Sequence, residues 1–171
     1  TIGIDETSDV LKIMKSGILS SYLGSKGPDF LGGKFVKKFE KKICQFFNVK
    51  HAISVNSWTS GLVTIIGAIG IKPGDEVITT PWTMCCTATS VLHWNGIPVF
   101  CDIEPDTFNI NPHLVEKLIT KRTKAIVAVD IFGHGCDIEK LKKICRKNNI
   151  YLITDSAQAP GARDNLGYVG T

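Results

Sequence analysis

Two short polar segments follow apolar, strand-like runs and contain residues that could do chemistry. The first is Asp155–Gln158 (DSAQ), which comes directly after the apolar run 150–154. A carboxylate at the end of a buried strand costs free energy unless it faces a cation or takes part in chemistry. The residues alone therefore leave three interpretations of Asp155 open: a metal carboxylate, a partner for a protonated ring nitrogen, or the N-cap of a helix.

The second segment is Asn56–Ser60 (NSWTS), which lies between an apolar run and a helical pattern. The free N–H groups of a first helical turn and nearby hydroxyls form a cradle that suits a phosphate. An Asn or Ser that only caps the helix explains the same residues, and on local evidence this is the simpler interpretation.

Other signatures of chemistry are missing from the sequence. The dinucleotide pattern G-x-G-x-x-G does not occur, and the segment from Gly27 to Lys34 matches the phosphate loop only out of register. The nucleophile elbow G-x-S-x-G is absent, and the four histidines lack ligand spacing. The six cysteines do not form paired C-x-x-C motifs, so we expect reduced cysteines packed as small hydrophobes. No metal site is predicted.

Helical and strand patterns alternate along the chain and must position these segments. Apolar residues recur at helical spacing in the ranges 36–46, 57–70, 83–94, 111–119 and 138–145, and the lysines of the first range should face solvent. Strand-length apolar runs occupy 51–55, 76–79, 97–101, 125–129 and 150–154. This alternation predicts an α/β fold with a mostly parallel sheet between helices.

Composition excludes several classes of protein. With 171 residues, 43% of them hydrophobic and 21% charged, the chain is neither disordered nor a coiled coil. The net charge of +4 is mild and scattered, so it does not favour nucleic acid. No apolar run is long enough to span a membrane, and no charged-then-apolar segment before a small-residue cleavage site predicts a secretory leader. Because the chain begins with Thr1, we expect it to be part of a longer product.

Six blocks of sequence, in their order, resemble the DegT-type sugar aminotransferases, which are pyridoxal-phosphate (PLP) enzymes of the aspartate aminotransferase fold. The resemblance covers about Ser16 to Thr171 and implies a three-layer α/β/α large domain. The blocks are Phe39-Glu40, Asn56–Leu62, Pro73–Val77, Pro98–Asp102, Ile119–Ile126 and Asp155–Ala159.

The resemblance also implies a role for individual residues. Thr59 and Ser60 are similar to the residues that hold the PLP phosphate, and Asp155 to the carboxylate that keeps the pyridine nitrogen protonated. Gln158 is similar to the residue that forms a hydrogen bond with the phenolic oxygen of the cofactor. Met84 takes the place of an aromatic residue that covers the cofactor ring, which a thioether does more weakly.

Two further departures from the family pattern concern Trp58 and the catalytic lysine. Trp58 stands where the family usually has glycine, beside the phosphate cradle. The lysine that forms the Schiff base is expected after Thr171. The chain, 1–171, would then be the N-terminal segment and part of the PLP-binding large domain. It would lack the small C-terminal domain and be inactive alone.

The activity implied for the parent protein is transfer of an amino group from glutamate to a nucleotide-linked keto sugar, in a cytoplasmic homodimer without nucleic-acid or membrane partners. Two alternatives stay open. A histidine in place of the lysine would give a sugar dehydratase that uses pyridoxamine phosphate. The departures at Trp58 and Met84 are also compatible with a non-catalytic sensory or regulatory protein of the same fold.

Overall fold

The computed structural model describes residues 2–19 and 21–171, and the chain forms two compact units, 1–54 and 55–171. The first unit contains helices α1 (Ile4–Ser16) and α2 (Lys34–Phe47). Helix α1, which the apolar spacing did not predict, is capped where the Glu6 carboxylate accepts the Gly3 N–H at 2.7 Å. The predicted helix over 36–46 is confirmed as α2, and its four interspersed lysines, Lys37, Lys38, Lys41 and Lys42, are exposed.

The second unit contains the alternating helices and strands. Its strands are β1 (Glu76–Thr79), β2 (Ile97–Phe100), β3 (Thr123–Val129), β4 (Tyr151–Asp155) and a small hairpin, β5 (Arg163–Asp164) with β6 (Gly167–Tyr168). Its helices are α3 (Trp58–Ala68), α4 (Cys86–Leu92), α5 (Pro112–Leu118) and α6 (Ile138–Asn148). Helix α5 begins as predicted, because Asn111 caps it and Pro112 occupies its first position.

Strands β1 to β4 form one parallel sheet in the order β2-β1-β3-β4. Successive side chains of a strand point to opposite faces, and in the central strands β1 and β3 residues on both faces are buried. Val77 of β1 packs in a core cluster with helices α3 and α4, whereas Ile78 packs in a second cluster with α5 and α6. The α/β prediction, with helices on both faces of a parallel sheet, is confirmed.

The strand predicted over 51–55 is wrong. A strand needs a neighbour for its backbone hydrogen bonds, and this segment pairs with no described strand. Ile53 is 84% exposed, and both the N–H and the hydroxyl of Ser54 donate to Oε1 of Glu40, at 2.8 and 2.9 Å. The side-chain carboxylate of α2 thus takes the place of a neighbouring strand.

The cysteines are all reduced, and the prediction that they pack as small hydrophobes is confirmed for Cys101, Cys136 and Cys145. It is wrong for Cys85, which is exposed just before α4. Within residues 2–19 and 21–171, no helix is both long and apolar enough to cross a membrane. The same residues contain no cluster of acidic, histidine and cysteine side chains that could hold a metal ion.

Candidate active site

The topology of the sheet brings the two polar segments to one edge and one face. Because β1 lies between β2 and β3, the chain order reverses beside β1, and such a point at the carboxyl edge of a parallel sheet is where ligands bind. Helix α3 is connected by a short loop to the start of β1, so its N-terminus lies towards the carboxyl edge. Asp155 ends β4 at that edge. It lies two residues after Ile153, so its side chain is on the same face of the sheet as Ile153, which packs with α3 and α4.

Asp155 is a buried carboxylate, 4% exposed, which accepts hydrogen bonds from two neutral donors. Its Oδ2 accepts the hydroxyl of Thr87 at 3.3 Å, and its Oδ1 accepts the N–H of Ala157 at the same distance. Among residues 2–19 and 21–171 it forms no ion pair. The described residues 156–171 contain no helix, so the interpretation of Asp155 as a helix N-cap is wrong. A buried carboxylate with two long hydrogen bonds still needs a cation to compensate for its lost hydration.

Thr87 is a site residue that the sequence patterns did not single out. It is fully buried in the first turns of α4, and its hydroxyl also lies 3.0 Å from the hydroxyl of Thr83. Thr83 lies in the connection before α4, so this contact joins the connection to the first turn of the helix. The signal in the sequence was a threonine at a buried position of an apolar helical pattern. The structure shows that the Thr87 hydroxyl donates to Asp155 and so orients its carboxylate.

The N-terminus of α3 has the geometry of an anion cradle. Ser57 is the N-cap, and its hydroxyl accepts the N–H of Ser60 at 3.2 Å, while the N–H of Gly61 reaches the Ser57 carbonyl at 3.1 Å. The first N–H groups of a helix have no partner inside it, so those of Trp58 and Thr59 are left for groups outside. Thr59 is exposed there, and the Ser60 hydroxyl lies 3.1 Å from that of Ser57.

The Trp58 ring packs against the core rather than deforming the cradle. The residue starts a regular helix, and its side chain lies against the cluster built on Leu62 and Ile66. A Cβ added to Gly61 would lie 3.0 Å from Cε3 of Trp58, so this glycine makes room for the ring. The indole Nε1 is buried and has no acceptor among the described residues. The departure from the family pattern therefore changes the packing beneath the cradle and leaves its backbone regular.

Gln158 is exposed, and the oxygen of its side-chain amide is held by a hydrogen bond. Its Oε1 accepts the backbone N–H of Phe132 at 2.8 Å. Phe132 has a φ of 53°, an uncommon conformation for a residue with a side chain, and this turn directs its N–H to Gln158. Because the oxygen is engaged, the NH₂ group is the end of the side chain that can donate to a ligand.

Met84 lies on the surface, 62% exposed, between the carboxyl end of β1 and the start of α4. Helix α4 begins at Cys86, later than the predicted Thr83, which leaves Met84 in the connecting turn. The neighbouring Trp82 is 48% exposed and pairs with Phe108, with 6.0 Å between ring centroids. Met84 and Trp82 are thus both available at the carboxyl edge, and Trp82 is already in contact with another ring.

A second buried carboxylate, Asp130, lies beside Asp155 and was not identified from the sequence. It is 2% exposed, and it accepts the hydroxyl of Ser156 at 2.5 Å and the N–H of Cys136 at 2.9 Å. Its own N–H donates to the carbonyl of Asp155 at 2.9 Å. Burial, and then the charge of Asp130, raise the pKa of the Cys136 thiol. That thiol is therefore neutral at physiological pH. The hydrogen bonds of Asp130 connect the end of β3 to Cys136 and to Ser156.

Comparison with known proteins identifies the family. The model of the DegT/DnrJ/EryC1/StrS aminotransferase family matches residues 20–171. The chain is 39% identical over 158 residues to the spore coat polysaccharide biosynthesis protein SpsC of Bacillus subtilis, covering 92% of this chain and 38% of that protein. It is 37% identical over 139 residues to a GDP-perosamine synthase of Vibrio cholerae, covering 81% of this chain and 38% of the synthase.

Solved structures agree with the sequence comparison. The Helicobacter pylori aminotransferase PseC, involved in the biosynthesis of pseudoaminic acid, superposes with a TM-score of 0.88 at 33% identity, over 99% of this chain and 43% of that one. The chain thus spans about two fifths of the length of the proteins it matches. From the family match and the shared fold together, the chain belongs to the DegT/DnrJ/EryC1/StrS aminotransferase family.

Proposed function

We propose that this chain is the part of a PLP-dependent sugar aminotransferase that holds the coenzyme. The observation that carries the proposal is Asp155: a buried carboxylate with no ion pair among the described residues, on the same edge and face of the sheet as the N-terminus of α3. When bound, PLP supplies an electron sink that stabilises the carbanion formed at the amino-bearing carbon of a substrate.

Asp155 fits the pyridine nitrogen of the coenzyme. An anion beside that nitrogen raises the pKa of the ring nitrogen and keeps it protonated. The protonated ring in turn gives Asp155 the cation that no described side chain provides. Thr87 holds the carboxylate from the α4 side, and Ala157 N–H holds it from its own loop, so its orientation does not depend on the ligand.

The N-terminus of α3 fits the phosphate. The amides of Trp58 and Thr59 and the hydroxyls of Thr59 and Ser60 would bind the phosphate oxygens, and the positive end of the helix dipole favours the same charge. None of residues 56–60, the segment that opens α3, is charged, so this segment would bind the phosphate through its amides and hydroxyls.

Gln158 and Met84 would complete the contacts to the coenzyme ring. The NH₂ of Gln158 would donate to the phenolic oxygen, since its Oε1 is held by Phe132. The exposed thioether of Met84 would cover a ring face. None of the lysines in this chain is proposed as the lysine that forms the Schiff base.

The substrates that we propose are a nucleotide-linked keto sugar as acceptor and glutamate as donor. The names of relatives support the first, because they include a GDP-perosamine synthase at 37% identity. We propose further that the parent protein is a cytoplasmic homodimer and that its partners are these small molecules, with neither nucleic acid nor membrane.

The test uses the complete gene product, incubated with PLP and then freed of excess coenzyme. We expect a visible absorption band that borohydride removes, followed by transfer of the amino group from glutamate to a nucleotide-linked keto sugar. Loss of a sugar hydroxyl without a gain of nitrogen would instead favour the dehydratase. A complete product that takes up no PLP would refute both enzymes and favour the non-catalytic alternative.

A further inference from the structure

Asn109 is a buried side chain that the coenzyme contacts proposed above do not include. It is 3% exposed and lies in the connection between β2 and α5. Its Nδ2 donates to the carbonyls of His134 and Gly135, at 3.0 Å each, and its Oδ1 accepts the N–H of Ile131 at 3.2 Å. One buried amide thus bonds to three backbone groups of the loop 131–135, which follows a different strand.

The loop that Asn109 holds has a strained conformation. Phe132 and Gly133 have φ values of 53° and 87°, and the phenylalanine would relax to a negative φ without external contacts. The far end of the loop is fixed where the Cys136 N–H donates to Asp130. Between these two anchors, the N–H of Phe132 points to Oε1 of Gln158, at 2.8 Å.

We propose that Asn109 is a positioning residue that orients the side-chain amide of Gln158 through the loop 131–135. Three hydrogen bonds from Asn109 fix the turn, the turn fixes the direction of the Phe132 N–H, and this N–H selects which end of the Gln158 amide faces the ligand. The consequence for PLP, that the NH₂ of Gln158 donates to the phenolic oxygen, rests on the proposed function.

The first test measures hydrogen exchange of the Phe132 amide in the coenzyme-free protein. Asn109→Asp keeps the size of the side chain but removes both N–H donors, and Asn109→Ala removes all three contacts without adding charge. We expect exchange at Phe132 to accelerate at least about tenfold in both variants. Asn111→Asp is the matched control: Asp caps α5 as well as Asn does, so exchange at Phe132 should stay at the wild-type rate.

The second test uses the PLP-loaded complete gene product and records the pH at which the coenzyme absorbance changes. Losing a donor to the phenolic oxygen disfavours its ionised form, so Gln158→Leu should raise this midpoint by about one pH unit. Asn109→Asp should raise it in the same direction, and the double variant should match Gln158→Leu alone. A residue that only stabilised the fold would leave the midpoint unchanged.

Two outcomes would overturn the inference: wild-type exchange at Phe132 in the folded Asn109→Ala variant, or additive midpoint shifts in the double variant. Failure of the proposed function is recognised separately. If the wild-type gene product binds no PLP, that function is refuted, whereas the exchange measurement in the coenzyme-free protein still decides the positioning by Asn109.

Discussion

Replacing Asp155 with Asn separates its contribution to coenzyme binding from its contribution to folding. Asn has the same shape, and its Oδ1 can still accept the N–H of Ala157. Its NH₂ group takes the place of Oδ2 and can donate to the Thr87 hydroxyl, which is then free to donate to Thr83. The negative charge is lost, and both hydrogen-bonded positions keep a partner. Since this charge has no cation among the described residues, Asp155→Asn should leave the free energy of unfolding of the coenzyme-free protein unchanged or raise it by about 1 kcal/mol.

In the PLP-loaded protein, the same substitution should lower turnover by a large factor, although it does not lower the stability of the coenzyme-free protein. A carboxylate about 4 Å from a ring cation, at an effective dielectric constant of about 20, contributes about 4 kcal/mol. Asp155 is only 4% exposed, so solvent screens this interaction little. Loss of the charge should therefore lower turnover of the complete gene product by about a thousandfold, because the ring nitrogen is no longer held protonated.

The assay pairs transamination of a nucleotide-linked keto sugar with urea unfolding of the coenzyme-free protein. Asp164→Asn is the matched control, since Asp164 is exposed in the small hairpin and should change neither quantity. Wild-type turnover of Asp155→Asn would refute the assignment to the ring nitrogen. A loss of several kcal/mol of stability would show instead that the carboxylate holds the fold together.

Three further predictions concern the coenzyme ring, the sheet and the thiols. Met84→Phe should tighten PLP binding about threefold in a titration by adding an aromatic contact, whereas Met14→Phe on α1 should change nothing; weaker binding by Met84→Phe would contradict the ring contact. The hydrogen bond from Thr120, and then the charge of Arg122, lower the pKa of buried Glu76 from its usual 4.5. Its contribution to stability is therefore present above pH 4.5 and lost as the pH falls below it, so Glu76→Gln should flatten acid unfolding curves in that range. Burial raises the pKa of Cys101 and Cys145 to about 11, so a thiol reagent at neutral pH should modify exposed Cys85 first, and mass spectrometry should find the other two unmodified until the protein unfolds.

Local sequence patterns predicted most helices and strands of the second unit, because residue type and near neighbours in the sequence favour each of these elements. The run of β-branched residues in β3 indicated a strand buried on both faces, and the Asn111-Pro112 pair indicated the start of α5. The false strand over 51–55 had the same apolar pattern as β1, but a pattern cannot reveal whether a neighbouring strand is available. Glu40, which takes that place for Ser54, lies fourteen residues earlier in the sequence.

The sequence by itself determined the α/β class, the family resemblance and the positions of Asp155, Gln158 and the segment that opens α3. These properties depend on residue type and near neighbours, which the order of residues contains directly. Only the tertiary structure decided that Thr87 holds Asp155, that the Trp58 ring packs into the core, and that Asn109 fixes the turn beside Gln158. Those contacts join side chains and backbone groups from separate elements. Their geometry exists only once the sheet has brought the carboxyl ends of its strands together.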